Sequence, residues 1–201
     1  MASFQYFFDS LNKDRVYNSQ DFARFFRTFI TTGCIDNKTN KLPQTTLVSS
    51  ENRDIQVSPF SAMINGYLVN FADTQLLRGY APPTTDSRID SIIVRVDTNI
   101  TKRNIELLIK QGSTTRPTLT QNESVYEIAI ADITTLSNGT ITITDTVADK
   151  ERCGISMGAW DTIEGVIRGD YNLYIQPDEP LEAKTGDVWI KVNKNFTPIK
   201  K

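Results

Sequence analysis

RIDSIIVRVDTNITKRNIELLIKQG, Arg88 to Gly112, decides the fold class. In its first half Ile92, Val94 and Val96 recur at every second position. In its second half Ile105, Leu107 and Ile109 alternate with Glu106, Leu108 and Lys110. A period of two puts successive side chains on opposite faces of an extended chain, and the polar DTNIT between the runs turns it back. The spacing therefore predicts a β-hairpin.

Neighbouring segments repeat the pattern. Ile55 and Val57 begin an alternation that Pro59 interrupts, and Ala62, Ile64 and Gly66 against Met63, Tyr67, Val69 and Phe71 predict a strand bent at Asn65-Gly66. VYEIAIADI, with Tyr126, Ile128 and Ile130 alternating, predicts another strand, although its alanines also permit a helix. LSNGTITITD gives an Asn138-Gly139 turn and a strand through Ile141 and Ile143. FQYFF, Phe4 to Phe8, suits a strand beside the main sheet. Strands at this spacing, separated by turn residues, indicate a mainly β fold, an antiparallel β-sandwich or barrel rather than an α/β fold.

One stretch breaks the period. In YNSQDFARFFRTFITTGC, Tyr17 to Cys34, Phe22, Phe25, Phe26, Phe29 and Ile30 fall on one side of a helical wheel, with Asp21, Arg24, Arg27, Thr28 and Thr31 opposite. Asn18 or Ser19 can cap its start, and Gly33 can supply a left-handed closing residue. Phenylalanine costs a helix a few tenths of a kcal/mol relative to alanine. Burial of the aromatic face as structural core is expected to offset that, so truncating Phe25 or Phe26 should cost about 3–5 kcal/mol. The fold expected is thus a sandwich with one N-terminal amphipathic helix packed on it.

The chain of 201 residues has 22 basic and 24 acidic side chains, a net charge of −2, and no histidine. That balance gives no electrostatic reason for a nucleic-acid or anionic-membrane partner, and no apolar run approaches the roughly 20 residues that span a bilayer. Without imidazole there is no Ser-His or Cys-His nucleophile and no His-ligated metal. No phosphate-binding loop, cofactor motif or metal spacing occurs; cofactors and metals are expected to be none. MASFQYFFDS lacks a basic segment followed by a long apolar one, so Cys34 and Cys153 are expected to be free thiols of a chain made in a reducing cytoplasm.

Domain organisation follows texture. Residues 1–158 hold the helix and the strand signals. Residues 159–201 carry Pro177, Pro180, a Lys184-Thr185-Gly186 turn and one short strand, DVWIKV, and are expected to form a C-terminal appendage or docking segment.

The run DRVYNSQDFARFFRTFITTGC, followed by SAMINGYLVNF, RIDSIIVRVD, ELLIKQG, YEIAIADI and ITITDTVADKERCG, resembles the N-terminal domain of baseplate proteins from long-tailed phages of Gram-positive bacteria. That family includes baseplate upper proteins and the shoulder domain of receptor-binding proteins. The similarity runs from Phe7 to Gly154. It implies a β-sandwich with an N-terminal helix that attaches an adsorption device to the distal tail of the virion, commonly as trimers within a larger ring. Its implied partners are other tail or baseplate proteins. Two departures stand out. Val147 replaces an arginine that often follows the family's DT pair, and the family's saccharide-binding heads lie further C-terminal than this chain extends, so an adaptor is expected over a receptor binder.

Several residues are candidates for chemistry. Trp160, Tyr171, Tyr174 and Trp189 are the candidate partner-binding anchors, since Trp and Tyr commonly dominate interface energetics; the alternative gives them to host cell-wall saccharide, and packing on their own domain also fits. Asp86, Arg88 and Asp90 suit a solvated strand edge or an intersubunit ion pair. Asp145, Asp149, Glu151 and Arg152 match no calcium loop and suit a charged turn. Glu179 and Glu182 form an acid pair of the kind a glycosidase needs, but with 24 acidic residues such pairs arise by chance. No catalytic residue is expected.

Overall fold

The structure is a computed structural model that describes residues 16–36, 40–84, 86–157, 173–176, 178–181 and 188–191. The elements are α1 (Ser19–Arg27), β1 (Gly33–Ile35), β2 (Thr45–Leu47), β3 (Ile55–Val57), β4 (Phe60–Ile64), β5 (Tyr67–Phe71), β6 (Gln75–Leu77), β7 (Ser87–Asp97), β8 (Asn104–Lys110), β9 (Val125–Leu136), β10 (Ile141–Asp145), β11 (Leu173–Gln176) and β12 (Val188–Lys191). They fall into two compact units, Met1–Gly158 and Ala159–Lys201.

The first unit is mainly β. Its strands form a four-stranded sheet ordered β10-β9-β7-β8 and two three-stranded sheets, β1-β4-β5 and β2-β3-β6, with every strand pair antiparallel. The hairpin forms as its alternation requires: Val94 lies opposite Leu107 and Val96 opposite Ile105. Ile92, Val94 and Val96 of β7 and Ile128 and Ile130 of β9 meet Phe60, Ala62 and Ile64 of β4 and Ile55 and Val57 of β3 in one buried core. The sheets are thus packed as a sandwich around residues supplied by period-two alternation.

Asn65-Gly66 proves to be a two-residue hairpin turn rather than a bend within one strand. Both residues take positive φ, 49° and 82°, and Ile64 pairs with Tyr67 across it. VYEIAIADI is strand throughout. A bulge between β7 and β9 moves the pairing from Ile92–Ala131 to Ile93–Ala129, so Ile130 and Ala131 both reach the core. The bulged backbone is satisfied from outside the pair: Thr146 N–H donates to Ile130 O and Ala129 N–H to Arg152 O.

The helix departs from expectation at its end and on its face. Asn18 caps it, accepting from Gln20 and Asp21 N–H, while Asp21 accepts from Asn18 N–H in a capping box. It ends at Arg27, with Thr28 in right-handed geometry, so Gly33 does not close it. Gly33 instead opens β1, where a Cβ would run into the backbone of Gly154. Nor is the aromatic face core. Phe22 is 45% and Phe26 36% exposed, Phe25, Phe29 and Ile30 are half-buried, and the residue buried under α1 is Ala23. Phe25, Phe26 and Phe29 pack edge-on against one another, with centroids 4.9–5.9 Å apart. The reason is steric: α1 comes down onto Gly66, where only the small edge of the helix fits, and Arg27 Nη1 fixes it by donating to Asn65 Oδ1 at 2.7 Å.

The second unit contains β11 paired parallel with β12, Tyr174 standing at the register position opposite Trp189. Sequence alternation anticipated only the second of these strands. The strand expected at Phe4–Phe8 lies outside the described residues.

Candidate functional site

The outward face of β7 and β9 carries charge that alternation alone would send to solvent. Arg95 lies opposite Glu127 in the ladder, and Ser91 opposite Asp132. The chain between β8 and β9 and the turn after β10 instead supply groups that reach these side chains, and Glu127 and Asp132 end up buried.

Glu127 is held on all sides. Its Oε1 accepts from Arg95 Nε at 2.8 Å, and its Oε2 accepts from Lys110 Nζ at 2.6 Å and from Thr120 N–H at 2.7 Å. Burial pushes this carboxyl up, but Lys110, the Thr120 amide and Arg95 outweigh it, and the group ionises below the usual carboxylate range. Asp132 Oδ1 accepts from Ser91 Oγ at 2.6 Å and from Arg152 Nη2 at 3.1 Å. Its Oδ2 lies 2.9 Å from Arg116 Nε, an ion pair off the N–H direction.

A third cluster lies at the start of β7. Asp90 is fully buried and accepts from Tyr80 OH at 2.6 Å, from Arg88 Nε at 2.9 Å and from Gly112 N–H at 2.9 Å. Burial and the Asp90 hydrogen bond push the Tyr80 hydroxyl up, while the Asp90 carboxylate raises Arg88. The solvated edge expected for Asp86, Arg88 and Asp90 is therefore corrected: Arg88 and Asp90 make an internal pair, and Asp86 alone is exposed.

The other acidic candidates also serve the fold. Asp145 Oδ1 accepts from Val147 N–H and Asp149 Oδ1 from Glu151 N–H, local turn bonds, while Arg152 turns inward to Asp132. Val147 is buried in the core. Among the described residues no three His, Cys, Asp or Glu side chains are grouped to hold a metal ion, and no helix is long and apolar enough to cross a membrane. Cys34 and Cys153 are free thiols.

The candidate interaction region lies around the helix. Between its start and the β7–β8 turn is a cleft of about 420 Å³, walled by Tyr67, Val96 and Ile105 and rimmed by Asp97, Arg103 and Asn104. An apolar floor with a charged rim suits a partner side chain or a small polar molecule with an apolar body. The first-turn amides of α1 are not donors for it, because Asn18 has taken Gln20 and Asp21 N–H. Phe22 and Phe26, on the aromatic face, and Leu68, on β5, show apolar surface at this end of the unit, and Ile100 does so beyond β7.

Of the anchors expected in the C-terminal segment, Tyr174 lies on β11 and Trp189 on β12, while Trp160, Tyr171 and Glu182 lie outside the described residues; Glu179 is exposed. The ionic clusters were missed by sequence reasoning. Their signal was present as opposite charges, Arg95, Lys110, Glu127 and Asp132, inside otherwise apolar strands. Family models, curated proteins and solved structures yield no match to this chain.

Proposed function

We propose that this chain is a non-enzymatic structural component of a phage tail baseplate, attaching receptor-binding proteins or further baseplate subunits to the distal tail. It acts as a homo-oligomer, a trimer within a larger ring, with its C-terminal segment as a docking element. The observation that carries this is the order of segments: DFARFFRTFITTGC, SAMINGYLVNF, RIDSIIVRVD, ELLIKQG, YEIAIADI and ITITDTVADKERCG follow one another as in the attachment domains they resemble. In this chain they supply α1, the β4–β5 hairpin and the whole four-stranded sheet.

The ionic clusters support a structural role. Acid–base chemistry on a glycosidic bond needs two carboxyl groups facing substrate, whereas Glu127 spends both oxygens on internal donors and Asp132 is enclosed by two arginines and a serine. Labelling purified virions with an antibody to this protein and imaging them by electron microscopy tests the proposal. Label is expected at the distal tail end, and its absence there sinks the idea.

One observation favours a second reading. Tyr174 and Trp189 hold paired register positions on β11 and β12, so two residues of the type that stacks on a pyranose ring share one place in the ladder. Under this alternative the chain contacts host cell-wall saccharide directly. Calorimetry with wall polysaccharide separates the two: heat that disappears in Trp160→Ala or Trp189→Ala supports the binder, and no heat from the intact chain leaves the adaptor.

A further inference from the structure

Cys34 and Cys153 are 119 residues apart in sequence, yet their sulfurs lie 3.5 Å apart inside the domain. The approach is imposed by backbone, independently of the thiols. Cys34 N–H donates to Gly154 O at 3.0 Å, and Ser156 N–H donates to Cys34 O at 2.7 Å. Cys34 also forms a parallel bridge with Ile155. Gly33 leaves no room for a Cβ against Gly154, so the two chain segments run at van der Waals contact beside the sulfurs. A disulfide needs the sulfurs at about 2.05 Å; side-chain rotation has to close only the remaining gap.

We propose that Cys34 and Cys153 are a covalent modification site, a dithiol that a peroxide oxidises to an intramolecular disulfide tying β1 to the segment after β10. Cys153, 5% exposed against 0% for Cys34, is the sulfur that the oxidant reaches first. Its sulfur attacks one peroxide oxygen, the O–O bond breaks, and a sulfenic acid and water result. Cys34 then attacks the sulfenic sulfur, the S–O bond breaks, the S–S bond forms and a second water leaves. Two thiols and one hydrogen peroxide give one disulfide and two waters, the two electrons passing from sulfur to oxygen. The hydrogen bond to Cys153 and burial push the Cys34 thiol up, so it keeps its proton and waits as the resolving partner rather than the first nucleophile. The site is reduced when the chain is made in a reducing compartment and closes once it leaves one. It does not depend on the baseplate reading.

Intact-mass spectrometry of the full chain before and after hydrogen peroxide tests this. Oxidised protein is expected to lose two hydrogens, and after unfolding to take no alkylating label, against two labels for the reduced protein. Cys34→Ser and Cys153→Ser should each abolish the loss. Because the bond closes a span of more than a hundred residues, the urea midpoint of the oxidised wild type should rise by on the order of 1 M and fall back on reduction. Two thiols still open to alkylation, oxygen addition without hydrogen loss, or disulfide-linked dimers would each overturn the proposal, and all three are read on the wild-type chain even if a variant does not fold.

Discussion

Ala23 closes on Gly66 so tightly that its carbonyl oxygen fills the space where any other residue at 66 would carry its Cβ. The helix is therefore seated on a hairpin turn through the backbone of Ala23, while Phe25, Phe26 and Phe29 pack edge-on against one another.

Gly66→Ala should displace α1. The new methyl meets Ala23 backbone, and φ of 82° adds left-handed strain, for a loss of about 2–4 kcal/mol in urea unfolding. Gly79→Ala is the control: φ is 66° but nothing lies within 4 Å of the added Cβ, so only the backbone strain of about 1–2 kcal/mol is expected. Equal losses in the two variants would mean that the seat contributes nothing.

Phenylalanines at the helix and in the core should respond differently. Phe60 is 2% exposed and packs on Phe71 with centroids 5.1 Å apart, so Phe60→Ala should cost about 3–5 kcal/mol. Phe26→Ala should cost only about 1 kcal/mol, because its ring already meets water. A cost at Phe26 matching that at Phe60 would restore the expectation of a buried aromatic face.

Glu127→Gln leaves Arg95 and Lys110 facing a neutral amide and should destabilise by about 3–5 kcal/mol at neutral pH. The folded carboxyl ionises below its ordinary value. Its stabilising contribution is therefore complete above the unfolded carboxyl range, near about pH 4.3, and is lost as pH falls through the lower folded value. Urea melts from pH 7 to pH 3 should show wild type and variant converging on acidification. A gap that stays constant with pH would rule out the ion pairs as its source.

Tyr80→Phe removes the hydroxyl that donates to Asp90 and meets Thr135 Oγ1 at 2.8 Å. The ring still fills its site, so the expected loss of about 1.5–3 kcal/mol is that of one buried hydrogen bond to a charged group. A near-neutral variant would mean that Arg88 and Gly112 satisfy Asp90 without it.

The sequence by itself determined what depends on neighbours along the chain. Period-two alternation in Ile92–Val94–Val96 and Ile105–Leu107–Ile109 set the hairpin, its register and its buried face, since a one-residue slip would turn every apolar side chain to water. Asn138-Gly139 marked a turn, and Asn18 with Asp21 wrote the helix start, whereas Asn65-Gly66 suggested only a bend where the structure has a hairpin turn. Only the tertiary structure decided what depends on residues far apart. Wheel geometry grouped the phenylalanines of α1 but could not say that Gly66, more than forty positions after Ala23, would take the edge of the helix that flanks them. Arg88 and Asp90 suited a solvated edge, and nothing set Glu127 and Asp132 apart, because strand alternation is blind to the loops that cover them; burial followed from Gly112, Thr120 and Arg152 arriving from elsewhere in the chain. Nor could spacing reveal that Cys34 and Cys153 face each other, because that contact belongs to neither β1 nor the turn after β10, only to the backbone bonds that join them.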